Sequence, residues 1–584
     1  ASALVLTGGY LFAARVQARR TAVARAGAEV VRAQLRSRRA AEAGPGAPEL
    51  RRLFELDGRH PDVIAAFLEE RVVGSLWQAG PPVGLSEAVT RARAAGLPAP
   101  RVIAGRVAER LAAGDVAGAR ALVEEHDGTC LDDALYALAS GAALERAGDA
   151  RALSRYRLAT ELAPDSLPAR VLLARLGLLE GELTTARRAV ARLAADRGDE
   201  PVSRTLSRLA WAVDPGRGEA PAPQRLTDDE HARLPPPLRS APNLVEAVLA
   251  LDRGDRARAA ELIGEGLALA VDPAEVTAFG MVAVRAGQEP LARRAAWRVH
   301  RAAPEYPGPP ALAARVALLR GRFADATLAV TTGAPARELA LVLAVDAYER
   351  LDGAGVRAAL AALPGLPARD PEAAALAVAP TALDGSGLPE FDTLHDLVSP
   401  SDLWGDVLGV DLALDAGRVD LARALARAWP AHAEEQPPRA VRLARLARIT
   451  GKPEAAVEHA DRAVAAGDAA PRAVVELVRA LVEVGDASTA RSSLRDHRAG
   501  VGPVLGDWLD VLVTRAESGG AGATVRAARC PLPPPDAPLL VQALAVRALA
   551  EAGDLRAAAA TAALARRHPA HPDVVAAAAL LRED

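Results

Sequence analysis

A glycine closing an apolar segment, with an alanine five residues later, recurs along this chain at a nearly fixed interval. The pairs are Gly114/Ala119, Gly181/Ala186, Gly254/Ala259, Gly287/Ala292, Gly321/Ala326, Gly353/Ala358, Gly417/Ala422, Gly451/Ala456, Gly485/Ala490 and Gly553/Ala558. Gly148 belongs to the set, with its alanine one place early at Ala152. From Gly114 to Gly148 is 34 residues and from Gly148 to Gly181 is 33; Gly417, Gly451 and Gly485 are 34 apart, and Gly553 follows after 68, with Gly519 at the half-way point. A self-similar period of this length means a solenoid of supersecondary units. A helical hairpin supplies the physical reason. The glycine takes the left-handed position that ends one helix, a small polar residue opens the next, and the alanine lets the two helices cross closely. Prolines such as Pro164, Pro304 and Pro569 then stop the second helix. Each hairpin is apolar on both sides, so only stacking on its neighbours buries a continuous core.

These residues resemble the tetratricopeptide repeat (TPR) family, whose repeat has a 34-residue period, glycine at the end of helix A, alanine five later, a small residue seven beyond and proline near the end. Here Ala463 and Ala565 hold the small position and Pro304 the proline. The family's Trp and Tyr in helix A are mostly replaced by Leu, Val and Ala, so the repeats are degenerate. The fold expected is all-α, a right-handed superhelical solenoid of antiparallel helix hairpins. The expected organisation is a TPR-like array at 45–213, a Pro-rich linker at 214–242, a second array at 243–363, an irregular segment at 364–402 and a third array at 403–584. Gly46 and Gly80 keep the phase of the first array without the matching alanine.

Composition agrees with helices. Half of the residues are hydrophobic but only 3% are aromatic, and Ala, Leu and Arg favour helix over sheet. Lys452 is the only lysine, a bias expected of a GC-rich bacterial genome. The formal net charge of −3 argues against a nucleic-acid partner, and no basic stripe is interleaved with aromatics for stacking bases. Positive charge gathers at the start, where Arg15, Arg19, Arg20, Arg25, Arg32, Arg36, Arg38 and Arg39 stand against Glu29 alone. They follow an apolar run at 1–14, read as the end of a membrane helix, with 15–43 as an Arg-rich juxtamembrane helix on the cytoplasmic side. A bacterial inner-membrane location is therefore expected, with the array on the cytoplasmic side and a periplasmic array as the other reading. A buried helix of the first repeat is the other reading of 1–14, and a solvated helix the other reading of 15–43.

No catalytic signature appears. The only lysine lies in "TGKPE", outside any phosphate-binding loop. "DGSG" at Asp384 is not a nucleophile elbow. His568 and His571 flank a proline turn and read as a repeat boundary rather than a metal pair, and Cys130 and Cys530 lie 400 residues apart. No enzyme, metal or cofactor is expected. TPR-like arrays bind peptides along the concave face lined by helix A. Six residues before each glycine, the groove-facing position holds Ala142, Arg175, Val248, Met281, Arg315, Asp411, Arg445, Arg479 and Arg547, with Arg442 and Arg448 on the helix of Arg445. Arg442, Arg445, Arg479 and Arg547 are the candidate partner-binding residues, a cationic strip for an acidic segment or a C-terminal carboxylate. Arginines that merely solvate a helix face are the other reading. The resemblance thus implies a scaffold that docks proteins or peptides, tethered to a membrane. A structural subunit that self-associates into a ring or filament is the alternative.

Overall fold

The computed structural model describes residues 2–37, 48–77, 84–197, 200–214, 226–363, 365, 370–384, 403–429, 435–467 and 470–583. Among the described residues all regular structure is helical. The repeated glycine does what its position requires. Gly114, Gly148, Gly181, Gly254, Gly287, Gly321, Gly417, Gly451, Gly485 and Gly553 all have positive φ, between 64° and 92°. At most of them the next residue donates its N–H to the carbonyl five residues earlier: Asp115 to Arg110 at 2.9 Å, Asp149 to Leu144 at 2.8 Å, Arg418 to Ala413 at 2.7 Å and Asp486 to Leu481 at 2.9 Å. This is the Schellman closure that satisfies the last carbonyls of a helix. Aspartates open several second helices by capping them, as Asp115 Oδ1 accepts from Gly118 N at 2.8 Å and Asp486 Oδ1 from Thr489 N at 3.0 Å. Prolines in the first turn start Leu167–Leu179, Pro437–Ile449, Pro453–Ala466, Pro471–Val484 and Pro503–Ser518.

The alanine rule holds with two corrections. Ala119, Ala186, Ala259, Ala292, Ala326, Ala422, Ala456 and Ala490 have no exposed surface, as a close helix crossing demands. In the last hairpin the buried alanine is Ala557, not Ala558, matching the early Ala152 of the Gly148 hairpin. The hairpin assigned to Gly353 turns two residues sooner. Leu351 takes the left-handed conformation, with φ 64°, and Asp352 N–H reaches Ala347 O at 2.8 Å. Asp352 then caps the next helix through Gly355 N at 2.8 Å, so that Val356 is buried where Ala358 was expected. A left-handed leucine costs about 1–2 kcal/mol, which is why glycine holds this position elsewhere.

The chain forms two compact units. The first comprises Ala1–Leu249, Glu261–Phe279 and Trp297–Tyr306. It opens with one helix, Ser2–Ser37, which covers the described part of the expected 1–14 segment and continues into the expected 15–43 segment as far as Ser37. Ala24, Ala28 and Val31 are buried where it packs on Pro48–Asp57 and Pro61–Trp77. Thr21 bonds Asp57 at 2.9 Å, and Arg25 lies 3.5 Å from Asp62. The arginine-bearing stretch is therefore, in its second half, the first helix of the array. Among the described residues no helix is long and apolar enough to cross a membrane. Gly46 and Gly80 lie outside the described residues. The rest of the unit is a succession of hairpins: Ala99–Ala112 with Val116–His126, Ala134–Arg146 with Ala152–Leu162, and Leu167–Leu179 with Leu183–Arg197. Of the expected Pro-rich linker, the described part holds a short helix, Asp228–Ala232, fixed by a Thr227/Glu230 capping box.

The second unit comprises Ala250–Ala260, Gly280–Ala296 and Pro307–Asp584. Trp404 and Trp508 are both buried in it. The segment 364–402, expected to be irregular, contains the helix Pro371–Asp384, which buries Ala373, Ala375, Leu376, Ala379 and Leu383 against its neighbours; 385–402 lies outside the described residues. Within each unit early turns touch much later ones. A β-carbon on Gly148 would lie 2.7 Å from that of Ala303, and one on Gly321 2.8 Å from that of Pro437.

Candidate functional site

The four arginines expected to form an open cationic strip do not form one. Arg442, on Pro437–Ile449, is 1% exposed. Its Nη2 donates to Glu349 and to Asp411, each at 2.7 Å, and its Nε donates to Asp411 at 3.0 Å. Arg445, one turn on, pairs with Asp415 and lies 3.7 Å from Asp411. Arg479, on Pro471–Val484, forms a two-pronged bond with Asp573, 94 residues further along the chain, one prong at 2.9 Å. Arg547 stays apart. It is 26% exposed in its side chain and pairs with Glu551 on its own helix. The physical reason is burial: a guanidinium removed from water needs a carboxylate partner, and the fold supplies one from within. The described geometry leaves Arg442, Arg445 and Arg479 no open face toward an acidic ligand.

The network extends beyond the predicted residues. Arg472 lies over the ring of Tyr348 at 4.5 Å and 3.6 Å from Asp411, and the Tyr348 hydroxyl donates to Asp411 at 2.7 Å. Arg448 bonds Glu476 at 2.8 Å. His571, singled out with His568 by their spacing, is buried with Nε2 3.5 Å from Asp415, and its Nδ1 accepts from Asp573 N at 3.3 Å. Burial alone would raise Asp415 and Asp573. Arg445 and His571 on the first, and Arg479, Arg448 and His571 on the second, outweigh it and hold both well below the usual carboxylate range.

The first unit carries a contrasting cluster around Arg175. Its guanidinium pairs with Glu145 and reaches Asp272 at 3.1 Å. Glu145 also accepts from the Tyr156 hydroxyl at 2.6 Å. Glu275, on Pro273–Arg285, is held by Ser240 and by Val271 N at 3.2 Å. Burial, reinforced by neighbouring carboxylates, pushes Glu145 and Glu275 up to about 7 despite Arg175. Glu180 rises to about 7 for the same first reason, with Glu145 and Glu182 adding to it. Sequence reading placed Arg175 but missed every acid around it. The signal available in the sequence lay in the other unit: Asp411, an acid at a groove position between apolar neighbours.

The groove-facing set as a whole is covered. Ala142, Arg175, Val248, Arg315, Asp411, Arg445 and Arg479 are buried, and Met281 and Arg547 are half-buried. A cavity of about 220 Å³ remains in the first unit. First helices of successive hairpins build it: Pro61–Trp77 gives Val73, Ala99–Ala112 gives Arg101, and Ala134–Arg146 gives Leu135 and Leu138. Leu162 and Pro168 complete its apolar wall. Among the described residues no group of three or more His, Cys, Asp or Glu is arranged to hold a metal ion.

No family model and no curated protein matches the chain. Solved structures similar to it include a chain of the APC/C hetero-tetramer Cut9–Hcn1, 12% identical over 86% of this chain and 92% of that one, with a TM-score of 0.30. A chain of Naa15/Naa10 bound to HypK-THB is 14% identical over 89% and 80%, with a TM-score of 0.22. Yeast Tom70 is 12% identical over 80% and 96%, with a TM-score of 0.20. Likenesses this distant carry no argument about function. The helix hairpins themselves, closed by left-handed turns at the repeat interval, define a TPR-like α-solenoid.

Proposed function

We propose that this chain is a non-catalytic interaction scaffold that docks proteins or peptides on the face built by the first helices of its hairpins. The observation that carries the reading is the cavity among Val73, Arg101, Leu135, Leu138 and Leu162, a recess on that face beside half-buried charges that are engaged with one another. The buried arginines act as internal ties, so recognition falls to this recess and not to the arginine strip. We further place the scaffold at the cytoplasmic surface of a bacterial membrane. Arg15, Arg19 and Arg20 are exposed on the first helix beyond its packed half, where they suit anionic headgroups.

The test is a crosslinking capture from native membranes with the full chain and with a chain lacking residues 1–43. A defined partner, lost from the membrane fraction on truncation, is the expected result. Recovery of the chain alone would contradict docking and favour the structural ring or filament. Flotation of the intact chain with phosphatidylglycerol vesicles, abolished by Arg15→Glu with Arg19→Glu and Arg20→Glu, checks the membrane placement. Equal flotation of both would refute it.

A further inference from the structure

The arginine strip implied an acidic partner; the recess has the opposite sign. Its one lining cation is already engaged. Arg101 Nε donates to Asp133 at 3.1 Å, and its Nη1 lies 3.9 Å from Glu69. Glu69 in turn lies 3.9 Å from Arg32. Asp133 is doubly bound, since its Oδ1 caps Ala134–Arg146 through Leu135 N at 2.9 Å and Tyr136 N at 3.0 Å. Asp132 is different. It lines the recess, is exposed, and takes part in none of the ion pairs or hydrogen bonds found among the described residues. The free charge at the mouth is therefore a single carboxylate. Beside it Leu162, 42% exposed, presents apolar surface to solvent, and Leu135 and Leu138 form a buried apolar floor. At about 220 Å³ the recess is below the roughly 300–1,000 Å³ of sites that enclose a whole small ligand. It has the scale of a side-chain pocket.

Resting on the scaffold reading, we infer that this recess receives an apolar anchor residue of a partner peptide, with an adjacent lysine or arginine paired to Asp132. The anchor covers Leu162 and the leucine floor, and the partner's cation meets the carboxylate that the fold leaves open. An acidic neighbour meets Asp132 as a like charge and finds Arg101 occupied, so it is rejected.

The experiment is binding of the full chain to an array of alanine peptides in which two adjacent positions run through every residue. Capture concentrated on an apolar residue beside Lys or Arg is expected. Leu162→Glu should lower it at least tenfold, and Asp132→Arg should move the preference to Asp or Glu. Both side chains are exposed, so both variants should keep the parent's helicity. A preference for acidic peptides, capture of none, or an Asp132→Arg profile like the parent's would overturn the inference. Measuring the membrane-captured partner against Leu162→Glu separates the two readings. An unchanged Kd removes the pocket and leaves the scaffold, whereas failure to capture any partner removes the scaffold itself.

Discussion

Around Arg175 one buried guanidinium faces Glu145, Asp272 and Glu275. Around Asp411 and Asp573 the second unit sets Arg442, Arg445, Arg448, Arg472 and Arg479 against Glu349, Asp411, Asp415, Glu476 and Asp573. Both clusters tie helices far apart in sequence, Arg175 to Asp272 across 97 residues and Arg479 to Asp573 across 94. They differ in charge balance, and that balance decides how each responds to protons. Where acids outnumber bases in a buried place, the cheapest relief is protonation. Where they match, the arginines hold Asp411, Asp415 and Asp573 charged. One repeat architecture thus holds carboxylates pushed up toward neutrality in one unit and carboxylates held down in the other.

Breaking the balanced tie should have the largest effect. Arg442→Ala leaves Glu349 and Asp411 short of their nearest cation, and removing one member of a buried pair costs about 3–5 kcal/mol. Hydrogen exchange in Ala336–Glu349 and Pro437–Ile449 should accelerate accordingly; exchange at the parent's rate would show that the pair contributes nothing. Regional exchange is the right observable, because a two-unit repeat array has no single unfolding free energy.

The pH response is next in size, and its sign follows from the direction of each shift. Glu145 and Glu275 rise from the usual 4.5 to about 7 in the folded chain. The folded first unit therefore holds protons that the unfolded chain releases, and its stability grows as pH falls from above 7 toward 4.5. Asp411, Asp415 and Asp573 are held below the usual 3.8. Their contribution is constant from pH 8 to 5.5 and is lost only in stronger acid. Exchange corrected for intrinsic rate should thus slow between pH 8 and pH 5.5 in Ala134–Arg146 and Pro273–Arg285 but not in Pro471–Val484. Asp406, pushed by burial up to about 6 despite Arg439 and Arg256, should make Leu403–Asp415 a weak local exception. The smallest effect is expected at Arg547, whose pair with Glu551 is partly exposed and within one helix. Arg547→Ala should cost no more than about 0.5 kcal/mol, and a loss of several kcal/mol would mean that its partner is not Glu551.

The periodicity made the hairpins legible because glycine at a left-handed turn and alanine at a crossing are local demands. Leu351 escaped because a packed leucine can tolerate the strained turn, and Ala557 because the second helix there begins four residues after Gly553, against two after Gly114 or Gly485, which shifts its buried face. The charge network was not legible, since its pairs join residues from about one repeat apart, as Arg442 and Asp411, to more than 90 apart, as Arg479 and Asp573, and nothing local tells a buried arginine from a solvated one. The same limit hid the recess. Its parts, Arg101, Asp132, Leu138 and Leu162, meet only when successive hairpins stack.

Charge balance, not architecture, separates the two ties. The direct measurement is regional hydrogen exchange at pH 7.5 on Glu145→Gln and Asp573→Asn, the same carboxylate-to-amide change in each. Glu145→Gln removes one of the surplus acids while Asp272 stays on Arg175, so Leu167–Leu179 should exchange as in the parent or more slowly. Asp573→Asn strands Arg479 in a buried place, and Pro471–Val484 should exchange at least a hundredfold faster, the equivalent of about 3 kcal/mol or more. Equal destabilisation by both substitutions would contradict the account.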